Sequence, residues 1–289
     1  MHFVRAKGLL SAQGGMNIYR GCTHGCIYCD SRSECYGMKH AFEDIEVKEN
    51  APELLEAALR GKRKKCVIST GSMSDPYMHC EAELRITRRC LEIIERHGFG
   101  VAVQTKSDLV LRDLDLLSRI NAKARSVVQM TLTTYDEALC RVVEPNVCTT
   151  RRRYEVLKAC QSAGIPTVVW LTPLLPFIND TRENVQKLLE LCFDAGVKGI
   201  ITFGVPGLTL RTGDREYYYA ALDRHFPGVK AQYVRRYGSA YELPVPGGAQ
   251  LMELIRGECE AHGVLWRSEE IFAFMRELPG RAQQLSFFG

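Results

Sequence analysis

Long apolar runs are missing from this chain. The most apolar stretch, Ile165 to Ile178, falls short of the ~20 residues that span a bilayer and is broken by Pro166, Pro173 and Pro176. The opening residues lack the apolar core of a secretory signal. A cytoplasmic location without membrane attachment is therefore expected. Internal repeats and low-complexity tracts are also missing, as are a Walker loop, a G-x-S-x-G elbow, a G-x-G-x-x-G fingerprint and an H-E-x-x-H pair. The chain thus carries no local signature of a P-loop NTPase, an α/β-hydrolase, a dinucleotide-binding unit or a zincin. Excess charge is small: 38 basic against 34 acidic side chains leave +4. That permits a phosphate-bearing partner without requiring one. With 46% apolar and 25% charged residues, collagen, coiled coil and disorder are excluded.

Cysteine, in contrast, is plentiful. Twelve occur in 289 residues, still well below the ~8–10% of disulfide scaffolds. In a reducing cytosol a tight cysteine group reads as metal or cluster ligation.

One pattern recurs along the chain: a short apolar run, a turn, then an amphipathic helix. Strands are expected near 16–19 and at 66–71, 100–105, 127–133, 165–172 and 197–203. Helices are expected at 52–60, 83–97, 108–120, 150–163, from Asn179 or Asp180 to about 196, at 250–262 and at 269–277, with Thr150 capping the fourth. About six β/α units imply a parallel sheet, either an incomplete (β/α) barrel or an open doubly wound sheet. In both, ligands sit at the carboxyl ends of the strands. After Pro206 the texture changes, so 1–205 is expected to form the core and 206–289 an appendage packed on it.

The sharpest feature is Cys22-Thr-His-Gly-Cys26-Ile-Tyr-Cys29. Three thiolates on one short loop converge on a small object only if the backbone curls, and Gly21 and Gly25 allow that curl. Three ligands on a [4Fe–4S] cluster leave one iron open to a small molecule. A structural zinc site that takes Cys35 or His24 as a fourth ligand is the competing arrangement.

The C-x₃-C-x₂-C spacing, with Tyr28 before the last cysteine, resembles the signature of radical S-adenosylmethionine (SAM) enzymes. More of the chain is similar to the branch that includes spore photoproduct lyase: Asn17 to Cys22, Ser72-Met-Ser74-Asp75-Pro-Tyr77, Gln104-Thr-Lys106-Ser107 and Thr131-Leu-Thr133-Thr134-Tyr-Asp136. The resemblance implies a partial (β/α)6 TIM-like barrel of α/β class with a C-terminal α/β appendage. It implies a [4Fe–4S] cluster on Cys22, Cys26 and Cys29 within a cluster loop at 20–36. SAM would be held by Tyr28, Ser72, Ser74, Lys106, Thr131 and Thr133. Reduction by an electron donor such as flavodoxin or ferredoxin would release a 5′-deoxyadenosyl radical that abstracts hydrogen from a substrate. Two positions depart from the lyase. Ser72 stands where the lyase has a hydrogen-donating cysteine, and a serine O–H bond is too strong for that step. Asp30 replaces a tyrosine after the last cluster cysteine. Lyase activity by the same route is therefore not expected, and Cys80 and Cys140 become the candidate hydrogen donors.

Arginines interleave with tyrosines around Tyr217-Tyr218-Tyr219, Arg211, Arg215 and Arg235-Arg236-Tyr237, a texture that suits phosphate contact and base stacking. Gln284-Leu-Ser-Phe-Phe288 resembles the short peptide that docks repair proteins on the bacterial sliding clamp. Both features point toward nucleic acid. Peptide or small-metabolite chemistry, and a zinc-stabilised binding module, are the competing functions.

Overall fold

The structure, a computed structural model, describes residues 1–278; the Gln284–Phe288 segment lies outside the described residues. β1 (His2–Val4), β2 (Gly15–Met16) and β3 (Tyr19–Arg20) precede the cysteine loop, and β4 (Glu46–Lys48) and α1 (Ala51–Gly61) follow it. Next come β5 (Val67–Thr70), α2 (Glu81–Leu84), α3 (Ile86–Arg96), β6 (Gly100–Thr105) and α4 (Leu114–Lys123). β7 (Ser126–Thr131), α5 (Glu137–Val143), α6 (Thr150–Ser162), β8 (Thr167–Trp170), α7 (Arg182–Asp194) and β9 (Gly199–Ile201) continue the alternation. The remainder holds β10 (Gly207–Thr209), α8 (Asp214–His225), α9 (Val229–Tyr237), β11 (Glu242–Pro244), α10 (Gly248–His262) and α11 (Ser268–Arg276).

The six expected strands form one parallel sheet in the order β2-β5-β6-β7-β8-β9, the open arrangement of a partial (β/α)6 barrel. Side-chain alternation divides its two faces. Ile68, Val101, Val103, Val128, Met130, Val169 and Ile200 pack with the surrounding helices. The alternate set, Val67, Ala102, Val127, Val168 and Ile201, is covered by Ile271 and Met275 of α11. The last helix therefore fills the interior at the amino ends of the strands. At the edge of the sheet, the Ile200 N–H donates to the Leu265 carbonyl, and the Leu265 N–H to that of Lys198, so β9 is not left bare.

Several local expectations change. The helix expected over 83–97 is two helices, because Arg85 adopts a left-handed φ of 52°. The Glu81 carboxylate then accepts the N–H groups of Thr87 and Arg88 and caps α3. Thr150 does not cap its helix. Thr149 holds the capping position, and the Thr150 hydroxyl donates to the Thr134 carbonyl at 2.6 Å. Neither Asn179 nor Asp180 caps α7; Thr181 does, accepting from the Asn184 N–H. Asn179 is turned inward, where its amide donates to the Thr133 carbonyl at 2.7 Å. Residues 108–113 form a 3-10 turn before α4, and α5 was not visible as an element in the sequence.

Replacing Ile271, which is fully buried under the sheet, with alanine is expected to cost about 2–5 kcal/mol in urea unfolding. A loss below ~0.5 kcal/mol would mean that α11 does not seal the interior.

Candidate functional site

The loops at the carboxyl ends of β5 to β9 enclose a cavity of about 860 Å³, within the ~300–1,000 Å³ range of small-molecule sites. Tyr28, Cys29, Ser72, Gln104, Lys106 and Thr131 share its wall. Thr172, Thr202 and Phe203 continue it from β8 and β9, and Thr209, Glu242 and Leu243 close it from the β10–β11 hairpin. Five of the residues expected to hold the cluster or SAM thus meet at one place: Tyr28, Cys29, Ser72, Lys106 and Thr131.

The cysteine loop curls as its glycines allow. Gly21 and Gly25 have φ of 85° and 72°, and a Cβ on Gly21 would lie 2.4 Å from the Phe42 carbonyl oxygen. The loop is pinned from two sides. The Cys22 N–H donates to the Phe42 carbonyl, the Ile27 N–H to that of Val143, and the Asn146 N–H to that of His24. Cys22 and Cys26 are buried, whereas Cys29 is half-buried at the cavity wall. Burial pushes the Cys22 thiol up to about 12 and raises that of Cys26 further, against the pull of Lys106. Buried thiols of this kind ionise when a metal centre supplies the positive charge.

The donor set fits a multi-iron cluster better than one ion. A tetrahedral zinc with ~2.3 Å zinc–sulfur bonds holds its sulfurs about 3.8 Å apart. Among the described residues, the one group of three His, Cys, Asp or Glu ligand atoms lying within 4.8 Å of one another does not include these cysteines. His24 is also committed elsewhere: it is buried, its Nδ1 lies 3.5 Å from Asp75, and burial pushes its imidazole down to about 4. Cys35 is exposed and lies 3.0 Å from an Arg211 nitrogen.

A buried polar frame holds the wall in shape. Glu144 and Arg153 are both fully buried and pair at 2.6 Å. Glu144 also accepts from the Tyr28 hydroxyl and, at 3.4 Å, from that of Thr133. Arg153 donates to the carbonyls of Thr131 and Cys148. One ion pair therefore ties the cysteine loop, the end of β7 and the start of α6 together. Burial disfavours both charges, but Arg153 and Lys106 hold the Glu144 carboxyl below the usual carboxylate range. Burial also works against the Lys106 ammonium, yet Cys26 and Glu144 keep it above the usual lysine range. Asp75 fixes the neighbouring loop by accepting from the Thr105 hydroxyl, the Lys106 N–H and the Tyr77 N–H.

Other candidates stand apart from the cavity wall. Ser74 is buried, and its hydroxyl donates to the Tyr19 carbonyl at 2.8 Å. Thr133 is buried beneath the wall. Cys80 lies at the start of α2. Cys140 is buried on α5, its thiol 3.7 Å from Glu144. Neither Cys80 nor Cys140 lines the cavity. Glu144 was not singled out from the sequence, Arg153 was given no role in the site, and Asp75 appeared only within the Ser72–Tyr77 run, without a role of its own. For Arg153 a signal existed: it shares the buried face of α6 with Thr150, Val156, Leu157 and Cys160, while Arg151 and Arg152 are exposed.

The arginines and tyrosines after β9 divide in the same way. Tyr218 and Tyr233 are buried, their hydroxyls 2.8 Å apart, and Tyr237 donates to the Pro244 carbonyl. Arg215 is spent on the carbonyls of Leu210 and Ala240. Arg235 and Arg236 are exposed. Beside the hairpin, Arg211 lies over the Tyr241 ring at 4.7 Å.

Glu144→Gln leaves Arg153 buried without its counter-charge and is expected to cost about 3–5 kcal/mol in urea unfolding. Adding Arg153→Met should recover part of that loss. The wild-type contribution is full above the unfolded carboxylate value of ~4.3 and is lost as pH falls through the lower folded-state value. Equal stability of wild type and single variant would remove the pair from this role.

Comparison with known proteins agrees with this architecture. An uncharacterized protein of Mycobacterium tuberculosis is 28% identical over 240 residues, 79% of this chain and 68% of that one. A spore photoproduct lyase mutant with bound AdoMet and dinucleoside spore photoproduct superposes with a TM-score of 0.64 at 14% identity, covering 91% of this chain and 80% of that one. A radical S-adenosylmethionine methyltransferase from Kitasatospora setae, with cobalamin and a [4Fe-4S] cluster bound, gives 0.55 at 15% identity, covering 89% and 55%. At these identities the structural likeness is one of fold. The family model described as the Radical SAM superfamily matches residues 16–188, from β2 across the cysteine loop and into α7. The chain belongs to the radical SAM superfamily and is an enzyme of that class.

Proposed function

We propose that Cys22, Cys26 and Cys29 hold a [4Fe–4S] cluster facing the cavity, and that SAM binds against the wall formed by Tyr28, Ser72, Lys106 and Thr131. The observation that carries this reading is the shared wall itself: one cysteine of the triplet, the half-buried Lys106 and the hydroxyl residues Tyr28, Ser72 and Thr131 line the same cavity. A cluster held by these cysteines, once reduced by a flavodoxin- or ferredoxin-type donor, would supply the electron for cleavage of SAM to methionine and a 5′-deoxyadenosyl radical. Lys106 would meet the SAM carboxylate with a charge-assisted hydrogen bond. Tyr28, locked onto Glu144, closes the wall beneath it. Ser72 reaches the cavity whereas Ser74 does not, so Ser72 takes the SAM-facing role and Ser74 holds the loop to Tyr19.

The substrate we infer is a nucleoside unit of a nucleic-acid strand. Phe203 is exposed at the cavity and meets Trp170 edge-on at 5.2 Å between centroids, which offers an aromatic face to a base. Arg211 and Tyr241 flank the hairpin side, where a phosphate would pass. The family resemblance and the dinucleoside bound by the lyase of similar fold support the same substrate class. The lyase's own route of hydrogen return is not carried over. Ser72 lines the cavity, and Cys29 is the one cysteine in its lining among the described residues.

Anaerobic reconstitution should give a brown protein with iron and sulfide in the proportion of a [4Fe–4S] cluster, and Cys26→Ala should lose it. Retention of iron in that variant would overturn the ligand assignment. With reductant and SAM, 5′-deoxyadenosine should form, and Lys106→Met should raise KM for SAM about 10–100-fold, the equivalent of one lost hydrogen bond to a charged group. Deuterium supplied in a panel of oligonucleotides, damaged duplexes, peptides and small metabolites should enter 5′-deoxyadenosine from the nucleic-acid arm. Transfer from peptides or metabolites alone would overturn the substrate class.

A further inference from the structure

We propose a second metal site, for a divalent transition ion of the zinc type, built from His2, His40 and Asp44 with Glu46 beside them. It is independent of the reading of the cysteine loop. The register of β1 against β4 starts it. These strands pair in parallel with His2 opposite Glu46, so the two side chains lie on one face. The chain leaving the cysteine loop then brings His40 and Asp44 to the same place. One ligand atom each from His2, His40 and Asp44 lies within 4.8 Å of the other two. The His2 Nδ1 donates to Asp44 Oδ2 at 3.0 Å, a proton that a metal ion would displace, and the two imidazoles meet edge-to-face with centroids 4.8 Å apart.

The orientation of His40 is the second observation. Its Nδ1 lies 3.0 Å from the Ala41 carbonyl oxygen, so Nδ1 donates there, and in the neutral ring Nε2 presents its lone pair. A backbone carbonyl that fixes the tautomer in this way is the usual outer partner of a metal-bound histidine. Nε2 is shielded from solvent and has no hydrogen-bond partner among the described residues. The nearest carboxylate oxygen, on Glu46, is 3.8 Å away, too far for a hydrogen bond. A tetrahedral zinc with bonds of ~2.0–2.1 Å needs its donors about 3.3 Å apart. The His2–Asp44 spacing falls just under that and the His40–Glu46 spacing just over it. Two imidazoles and carboxylate oxygen suit zinc and its first-row neighbours. The remaining Asp44 oxygen accepts from the Met1 nitrogen at 2.7 Å.

The ion would act as a brace. The loop it ties down contains Phe42, whose carbonyl accepts the Cys22 N–H and whose ring lies 4.4 Å from the Arg32 guanidinium. Binding here would fasten β1 to the outer wall of the cysteine loop without using a sulfur ligand.

The test uses the full, tag-free chain with its cluster loaded, dialysed against micromolar Zn²⁺, with metals measured by plasma mass spectrometry and the zinc environment by X-ray absorption. The expected result is one zinc per chain in addition to the iron. Its scatterers should be nitrogen and oxygen only, near 2.0–2.1 Å, with none at the ~2.3 Å of sulfur. His40→Gln and Asp44→Asn should each weaken zinc binding by more than the roughly 10–100-fold cost of losing an outer partner, with iron content and circular dichroism unchanged. Zinc should raise the melting temperature of wild type but not of these variants. No retained zinc, sulfur scatterers, or equal affinity in both variants would overturn the site. Iron without zinc would defeat this inference alone, and zinc with nitrogen and oxygen ligands but no iron would defeat the cluster reading alone.

Discussion

Everything at the carboxyl end of the sheet leans on a carboxylate and a guanidinium that have no access to water. Glu144 and Arg153 are each fully buried, and such a pair stabilises little compared with apolar residues of equal volume. Its value is positional. From one point it holds the Tyr28 hydroxyl, the Thr131 carbonyl and the Thr133 hydroxyl, joining two segments that lie far apart in sequence. A side chain of the cysteine loop and the end of a barrel strand are thereby fixed relative to each other. Lys106 then enters a field already balanced by Glu144 on one side and thiols on the other.

The sheet's alternation places that frame correctly. Along β6 and β7, one set of residues feeds the helical layer and the other feeds the interior. The interior set runs from small apolar side chains under α11 to Gln104 and Gln129, and then to Lys106 and Thr131 at the rim. Polarity thus rises along each strand toward its carboxyl end, where loops can supply ligands to a bound molecule. The segment after β9 adds a wall of its own. The β10–β11 hairpin contributes Thr209, Glu242 and Leu243 to the cavity, and the tyrosines of α8 and α9 form the apolar backing behind it.

The six parallel strands were legible because runs such as Val127 to Met130 are short, apolar and bounded by helical periodicity. The cysteine triplet was legible because its spacing is local. The frame was not, since Glu144 gains its meaning from Tyr28, more than a hundred positions away in sequence, and no periodicity encodes that pairing. Arg153 was hidden by its two exposed arginine neighbours. The break at Arg85 was missed for a related reason: a glutamate four positions earlier turns inward to cap the next helix, which local propensity does not foresee. The metal-competent face at His2 and Asp44 depends on the β1–β4 register, and those strands are too short to stand out.

We propose that Cys22, Cys26 and Cys29 hold a [4Fe–4S] cluster and that SAM binds beside it in the cavity. Electron paramagnetic resonance of the reduced protein, recorded with and without SAM under anaerobic conditions, tests it most directly. The account predicts the signal of a reduced [4Fe–4S] cluster that changes in g-values when SAM is added, with Lys106→Met requiring more SAM for the same change. A protein without that signal, or one whose spectrum is unmoved by saturating SAM, would contradict it.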